Sequence, residues 1–91
     1  MPLTVSGDKL HKVLIVDDDA DVIHYPKELL SSQYEILSRF DADSAYQVIK
    51  EEAVDIIISD VVMPGTTGYE LCRKIKENIQ VSHIPVILLT A

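Results

Sequence analysis

Three apolar runs in this chain stop on a residue that can do chemistry. VLIV, residues 13–16, runs into Asp17 and Asp18, and IIIS, residues 56–59, runs into Asp60 just before a Pro-Gly turn. PVILL, residues 85–89, runs into Thr90. Each carboxylate has a plain alternative: Asp60 as the start of a solvated loop, and Asp17, Asp18, Asp19 and Asp21 as an acidic helix start favoured by the helix dipole. Brought together they would be something else, because two like charges about 4 Å apart repel by roughly 4 kcal/mol at an effective dielectric near 20. Three carboxylates share a crevice only if one takes a proton or a hard cation sits among them. An oxygen-only ligand set without Cys or His suits Mg²⁺ better than zinc. Mg²⁺ beside a carboxylate can neutralise and align an incoming phosphoryl group, and an aspartate can be its nucleophile. The Thr90 hydroxyl is a candidate for binding a phosphoryl oxygen.

Short apolar runs closed by turn residues read as strands buried on both faces. Residues 12–16 and 54–59 fit that description, YEILSR (34–39) reads as a more polar strand suited to a sheet edge, and the last strand lies in PVILLTA (85–91). Between them the apolar spacing becomes helical. Val22, Ile23, Pro26, Leu29 and Leu30 mark a first helix with Asp19 as its cap. Ala45, Val48 and Ile49 mark a second, capped by Asp41. Gly68, Leu71, Cys72, Ile75 and Ile79 mark a third, opened by a Thr67/Glu70 capping box. Pro26 sits inside the first helix, where it removes a hydrogen bond and costs roughly 3 kcal/mol, so that helix is expected to be kinked or to start late, near Tyr25. Pro26→Leu would then raise the melting temperature.

Strand-helix alternation implies a parallel sheet with right-handed crossovers and helices on both faces. In the flavodoxin-like doubly wound order, 2-1-3-4, the first and third strands are neighbours at the switch point where ligands bind. That order brings Asp17, Asp18 and Asp60 together at the carboxyl end of the sheet.

Composition narrows the classes. The chain has 91 residues, with 47% hydrophobic and 25% charged, which suits one small α/β domain with a core. A net charge of −7 argues against nucleic acid as a direct partner, since phosphate backbones need a basic face. No apolar run reaches the roughly 18 residues of a membrane span, and no signal-peptide core is present, so no membrane contact is expected. The single cysteine, Cys72, cannot form an internal disulfide and reads as a core residue; a reducing, cytoplasmic setting is expected. His24 and His83 read as structural or exposed residues. Residues 1–11 have no clear periodicity and read as an N-terminal tail or linker, with the folded unit at 12–91.

VLIVDDDAD, IIISDVVMPGTTGYEL and IPVILLTA together resemble the receiver domain of two-component response regulators, from about Lys12 to the last residue. The resemblance implies that Asp60 is the phosphoacceptor for a histidine kinase and that Thr90 is the switch hydroxyl. It further implies a Mg²⁺ site made by Asp17, Asp18, Asp60 and the main-chain carbonyl of Val62. A receiver is a phosphoacceptor rather than an enzyme in its own right. CRKIKENIQVSHIPVILLTA is similar to receivers within hybrid histidine kinases. Against the family pattern the sequence lacks a fifth strand, its flanking helices and the lysine that ends that strand, and Lys74 and Lys76 are placed on a helix that cannot replace it. The switch is therefore expected to be impaired in this chain. Strand four, left as a sheet edge, is expected to lead to a homodimer.

Two other classes compete. In a phosphatase of the haloacid-dehalogenase type, Asp17 would be nucleophile and Asp19 the acid, with Thr90 assisting; Asp21 and the SDVVMPGTTG segment do not fit that pattern. A non-catalytic interaction module would leave Asp60, Asp18 and Thr90 without a purpose.

Overall fold

A computed structural model of the chain describes residues 11–23, 27, 31–63 and 65–89. The elements run β1 (His11–Val16), β2 (Tyr34–Arg39), α1 (Ala42–Glu51), β3 (Ile56–Asp60), α2 (Gly68–Glu77) and β4 (Val86–Leu89). Residues 20–23 and 27 are also helical. The four strands form one sheet in the order β2-β1-β3-β4, and every neighbouring pair is parallel. This is the flavodoxin-like order expected from the alternation of elements.

Alternation along β1 and β3 sorts the core into two layers. Leu14, Val16 and Ile57 point to the face that packs Ala42, Ala45, Val48 and Ile49 of α1 and Leu71 and Ile75 of α2. Val13 and Ile15 point to the opposite face, with Ile36 of β2 and Ile23 from the helical residues 20–23. Burying a Leu or Ile side chain completely is worth roughly 1.5–3 kcal/mol, and Leu14, Ile49, Ile57, Leu71 and Ile75 are all fully enclosed. Central strands that feed both layers explain why β1 and β3 read as unbroken apolar runs rather than alternating ones.

Helix starts follow their caps. The Asp41 side chain accepts from the Ser44 backbone N–H at 2.8 Å and opens α1. Thr67 and Glu70 form the expected capping box at the start of α2: the Thr67 hydroxyl accepts from Glu70 N–H at 3.2 Å, and the Glu70 carboxylate accepts from Thr67 N–H at 3.0 Å. Asp19 Oδ1 accepts from Asp21 N–H at 3.0 Å, which caps the helical residues that begin at Ala20.

Several boundaries and faces differ from the expectations. β1 begins at His11, one residue inside the stretch read as a tail, and β3 begins at Ile56, leaving Val54 buried but outside the strand. α2 ends at Glu77 with Asn78 as its C-cap, so Ile79 falls beyond the helix and is 87% exposed rather than on a buried face. The burial expected of Ile79 goes instead to Val81 and Ile84 in the segment before β4. Val22 is exposed and Cys72 is half-buried. The helix after β1 does not start late, because residues 20–23 are already helical; Pro26 itself, with Tyr25 and His24, lies outside the described residues.

Candidate functional site: an acidic cluster at the carboxyl end of the sheet

Register places the acids. Val16 of β1 lies opposite Ser59 of β3, so one step further along both strands sets Asp17 beside Asp60. Asp17 N–H still donates to the Arg39 carbonyl at 3.1 Å, which extends the β1–β2 pairing to the cluster. Carboxylate oxygens of Asp17, Asp18 and Asp60 all lie within 4.8 Å of one another. The three residues are not equivalent: Asp17 is buried, Asp18 is exposed and Asp60 is half-buried.

Burial raises the Asp17 carboxyl above its ordinary pKa, and the charges of Asp60, Asp18 and Asp19 push it further up. A hydrogen bond from Asp19 N–H to Asp17 Oδ1, 2.9 Å long, works in the opposite direction. The cluster is thus an electrostatic conflict, which a hard cation on carboxylate oxygens would relieve. Its donor set, three oxygen ligands with no imidazole or thiolate, fits Mg²⁺.

Asp19, the acid required by the phosphatase reading, is absent from the cluster and uses its side chain as a helix cap. The lysines on α2 are engaged elsewhere. Lys74 Nζ sits 4.9 Å from the Tyr46 ring centroid and 4.0 Å from Asp43. Lys76 Nζ donates to the carbonyls of Ser82 and Ile84 at 3.2 and 2.8 Å. Val62 follows Asp60 by two residues and is exposed in the loop; Thr90 lies outside the described residues.

Two residues that motif spacing did not single out meet at the main chain of Asp60. The fully buried Ser59 donates its hydroxyl to the Asp60 carbonyl at 2.9 Å, and Gly68 packs against the same carbonyl. The available signal was a serine at the end of an isoleucine run, in a position whose burial ordinarily calls for an aliphatic side chain.

Comparison with known proteins agrees with this geometry. Residues 13–91 match the family model of the response regulator receiver domain. Histidine kinase P4 of Formosa agariphila is 44% identical over 79 residues, covering 87% of this chain but 6% of that protein. Response regulator PleD of Caulobacter vibrioides is 38% identical over 81 residues, covering 88% of this chain and 18% of PleD. The chain therefore spans a small part of each of these relatives. Among solved structures, a response regulator receiver domain protein from Clostridium thermocellum superposes with a TM-score of 0.81 at 30% identity, over 89% of this chain and 65% of that one. With the family's fold, and with its acids gathered where the first and third strands end, the chain belongs to the response regulator receiver domain family.

Proposed function

We propose that Asp60 is the phosphoacceptor of a two-component phosphorelay and takes its phosphoryl group from a phosphohistidine on a histidine kinase. The observation that carries this reading is the convergence of Asp17, Asp18 and Asp60 at the ends of two neighbouring parallel strands. Among the three, Asp60 is the one suited to attack. Asp17 is buried, with an oxygen committed to the Asp19 N–H, whereas Asp60 ends a strand and is partly open to an incoming group. An Asp60 carboxylate oxygen forms a bond to phosphorus in line with the departing nitrogen. The P–N bond breaks, its electron pair stays on the imidazole, and that nitrogen takes up a proton.

Asp17, Asp18, Asp60 and the main-chain carbonyl of Val62 would hold Mg²⁺. When bound, Mg²⁺ supplies charge neutralisation for the phosphoryl oxygens. Thr90, one residue past β4, is assigned the switch hydroxyl. The receiver unit is assigned to residues 12–91, with the preceding residues as a tail or linker. The resemblance to Histidine kinase P4 supports a hybrid kinase as the parent protein and, with it, a cytoplasmic setting. Among the described residues no helix is long and apolar enough to cross a membrane. A second copy of the chain is assigned to the β4 edge, where Ile87 and Leu89 are exposed.

Mass spectrometry after incubation with acetyl phosphate and Mg²⁺ tests the reading. One phosphoryl group on Asp60 is expected, Asp60→Asn should abolish it, and Asp18→Asn should mainly weaken Mg²⁺ binding. Modification that persists in Asp60→Asn would remove the proposed mechanism.

A further inference from the structure

We infer that Ser59 and Gly68 are positioning residues for the acceptor: they clamp the main chain on either side of the Asp60–Val61 peptide and so set where the Asp60 carboxylate and the following loop point. The inference rests on the reading of Asp60 as acceptor.

The two peptides that follow Asp60 are pinned at three hydrogen bonds. The Asp60 carbonyl accepts the Ser59 hydroxyl at 2.9 Å. Val61 N–H donates to the Leu89 carbonyl of β4 at 3.2 Å, and the Val61 carbonyl accepts from Gly68 N–H, the first residue of α2, at 2.8 Å. Sterics close the remaining side. A Cβ at Gly68 would collide with the Asp60 carbonyl oxygen and lie 2.9 Å from Val61 Cα and 3.0 Å from the Asp60 carbonyl carbon. These are backbone atoms, so no side-chain rotation relieves the clash. Gly68 is in the first turn of a helix, and its φ is not in the left-handed region. Close approach, not backbone conformation, is what requires glycine there.

Ser59 has a parallel peculiarity. It is fully buried on the layer formed by α1 and α2, in the central strand β3, between Val16 and Leu88 in register. An aliphatic residue would serve packing as well, but it would leave the Asp60 carbonyl without the hydroxyl it accepts. Supporting groups that orient a ligand or a nucleophile rather than touch the reacting atoms act by removing alternative orientations. With both peptides held, the Asp60 side chain leaves β3 toward Asp17 and Asp18, and Val62 is carried to a fixed place two residues on.

The test uses the whole chain. Mg²⁺ is titrated into wild type, Ser59→Ala, Ser59→Thr and Gly68→Ala with backbone amide shifts as readout, and Asp60 phosphorylation by acetyl phosphate is timed in parallel. Ser59→Ala should raise the Kd for Mg²⁺ and slow phosphorylation, each by about tenfold, and lower the melting temperature by about 4–8 °C, the scale of one lost hydrogen bond in a domain of this size. Ser59→Thr keeps the hydroxyl and should restore both. Gly68→Ala should be worse than Ser59→Ala, and if it does not fold, the Ser59 pair decides. Wild-type values in Ser59→Ala, or equal losses in Ser59→Ala and Ser59→Thr, would overturn the clamp. A wild-type chain that binds Mg²⁺ but is never phosphorylated on Asp60 would sink the acceptor reading alone, since the Mg²⁺ arm still judges the clamp. Hydrogen exchange at the Val61 and Gly68 amides, expected to quicken in Ser59→Ala relative to the Ala45 amide, judges it even if no Mg²⁺ binds.

Discussion

At Asp17 a carboxylate has lost most of its water and faces two others, and its folded-state pKa is raised for that reason, with the neighbouring charges adding to it. A raised carboxyl pKa means that the folded chain holds this proton more tightly than the unfolded chain does. Its contribution to stability is greatest at acid pH and declines as pH rises from the unfolded value, near 3.8, through the raised folded one. Glu52 behaves oppositely: its pKa is lowered by the hydrogen bond from Lys12 Nζ at 2.9 Å, so its contribution is present above 4.5 and is lost as pH falls through the folded value. Asp17→Asn preserves an oxygen acceptor for Asp19 N–H while deleting the buried charge. Without Mg²⁺ and at neutral pH it should melt higher than wild type, by about 4–8 °C for each kcal/mol of repulsion relieved. The gap should close as pH falls toward 4. With Mg²⁺ the order should reverse, because a site filled to 100 times its Kd gains about 2.7 kcal/mol and the variant has lost a ligand. Thermal melts across pH, with and without Mg²⁺, check this; a variant that melts below wild type in metal-free neutral buffer would refute the account.

At the scale of elements, α2 connects the acceptor loop to β4. Its N-terminus is held by the Thr67/Glu70 box and by Gly68 N–H on Val61. Its C-terminal turn carries Lys76, whose ammonium bridges the Ser82 and Ile84 carbonyls just before β4. Thr67→Ala removes one partner of the capping box and should cost about 1 kcal/mol. Lys76→Met keeps the aliphatic stem but deletes two charge-assisted hydrogen bonds. Because one of the two lies at an exposed position, its expected cost is also moderate, about 1–2 kcal/mol. The two changes sit at opposite ends of the helix and should add in the double variant. Urea unfolding of the single and double variants measures this, and strong non-additivity would show that the two ends of α2 are energetically coupled.

For the molecule as a whole, the sheet formed by the described residues has β2 on one side and β4 on the other. Among the described residues β4 pairs only with β3. Ile87 is 44% and Leu89 50% exposed, while Val86 and Leu88 are half-buried. Among the described residues, then, β4 is a parallel strand with wet apolar side chains and one side unpaired, which is a template for another chain. Each 400 Å² of apolar surface left in water forgoes about 10 kcal/mol, which matches the whole stability of an ordinary domain, about 5–15 kcal/mol. The 91-residue chain should therefore associate as a homodimer covering β4. Sedimentation velocity at micromolar concentration should show a concentration-dependent dimer, and Ile87→Lys should shift it to monomer. A stable monomer at every concentration would mean that the edge needs no cover.

Much of this architecture was legible in local patterns. Runs such as VLIV and IIIS announced central strands because burial on both faces leaves no polar alternation, and Asp41, Thr67 and Glu70 announced helix starts because capping is chemistry within four residues. The convergence of the acids also followed once the order 2-1-3-4 was adopted, since parallel strands put all their carboxyl ends on one side. What local pattern could not decide was what each residue meets across the fold. Asp17 and Asp18 are adjacent and chemically identical, yet one is buried and the other exposed, because successive residues leaving a strand point opposite ways and only packing decides which way is inward. Ile79 kept the helical spacing of α2 but lies past its last turn and in solvent, since periodicity carries no information about where backbone hydrogen bonds stop. Ser59 and Gly68 looked like an ordinary strand residue and an ordinary helix residue. Ser59 reaches the Asp60 carbonyl from the neighbouring position in β3, but only the close approach of α2 to the end of that strand brings Gly68 onto the same carbonyl, a contact between segments that no reading of either segment alone contains.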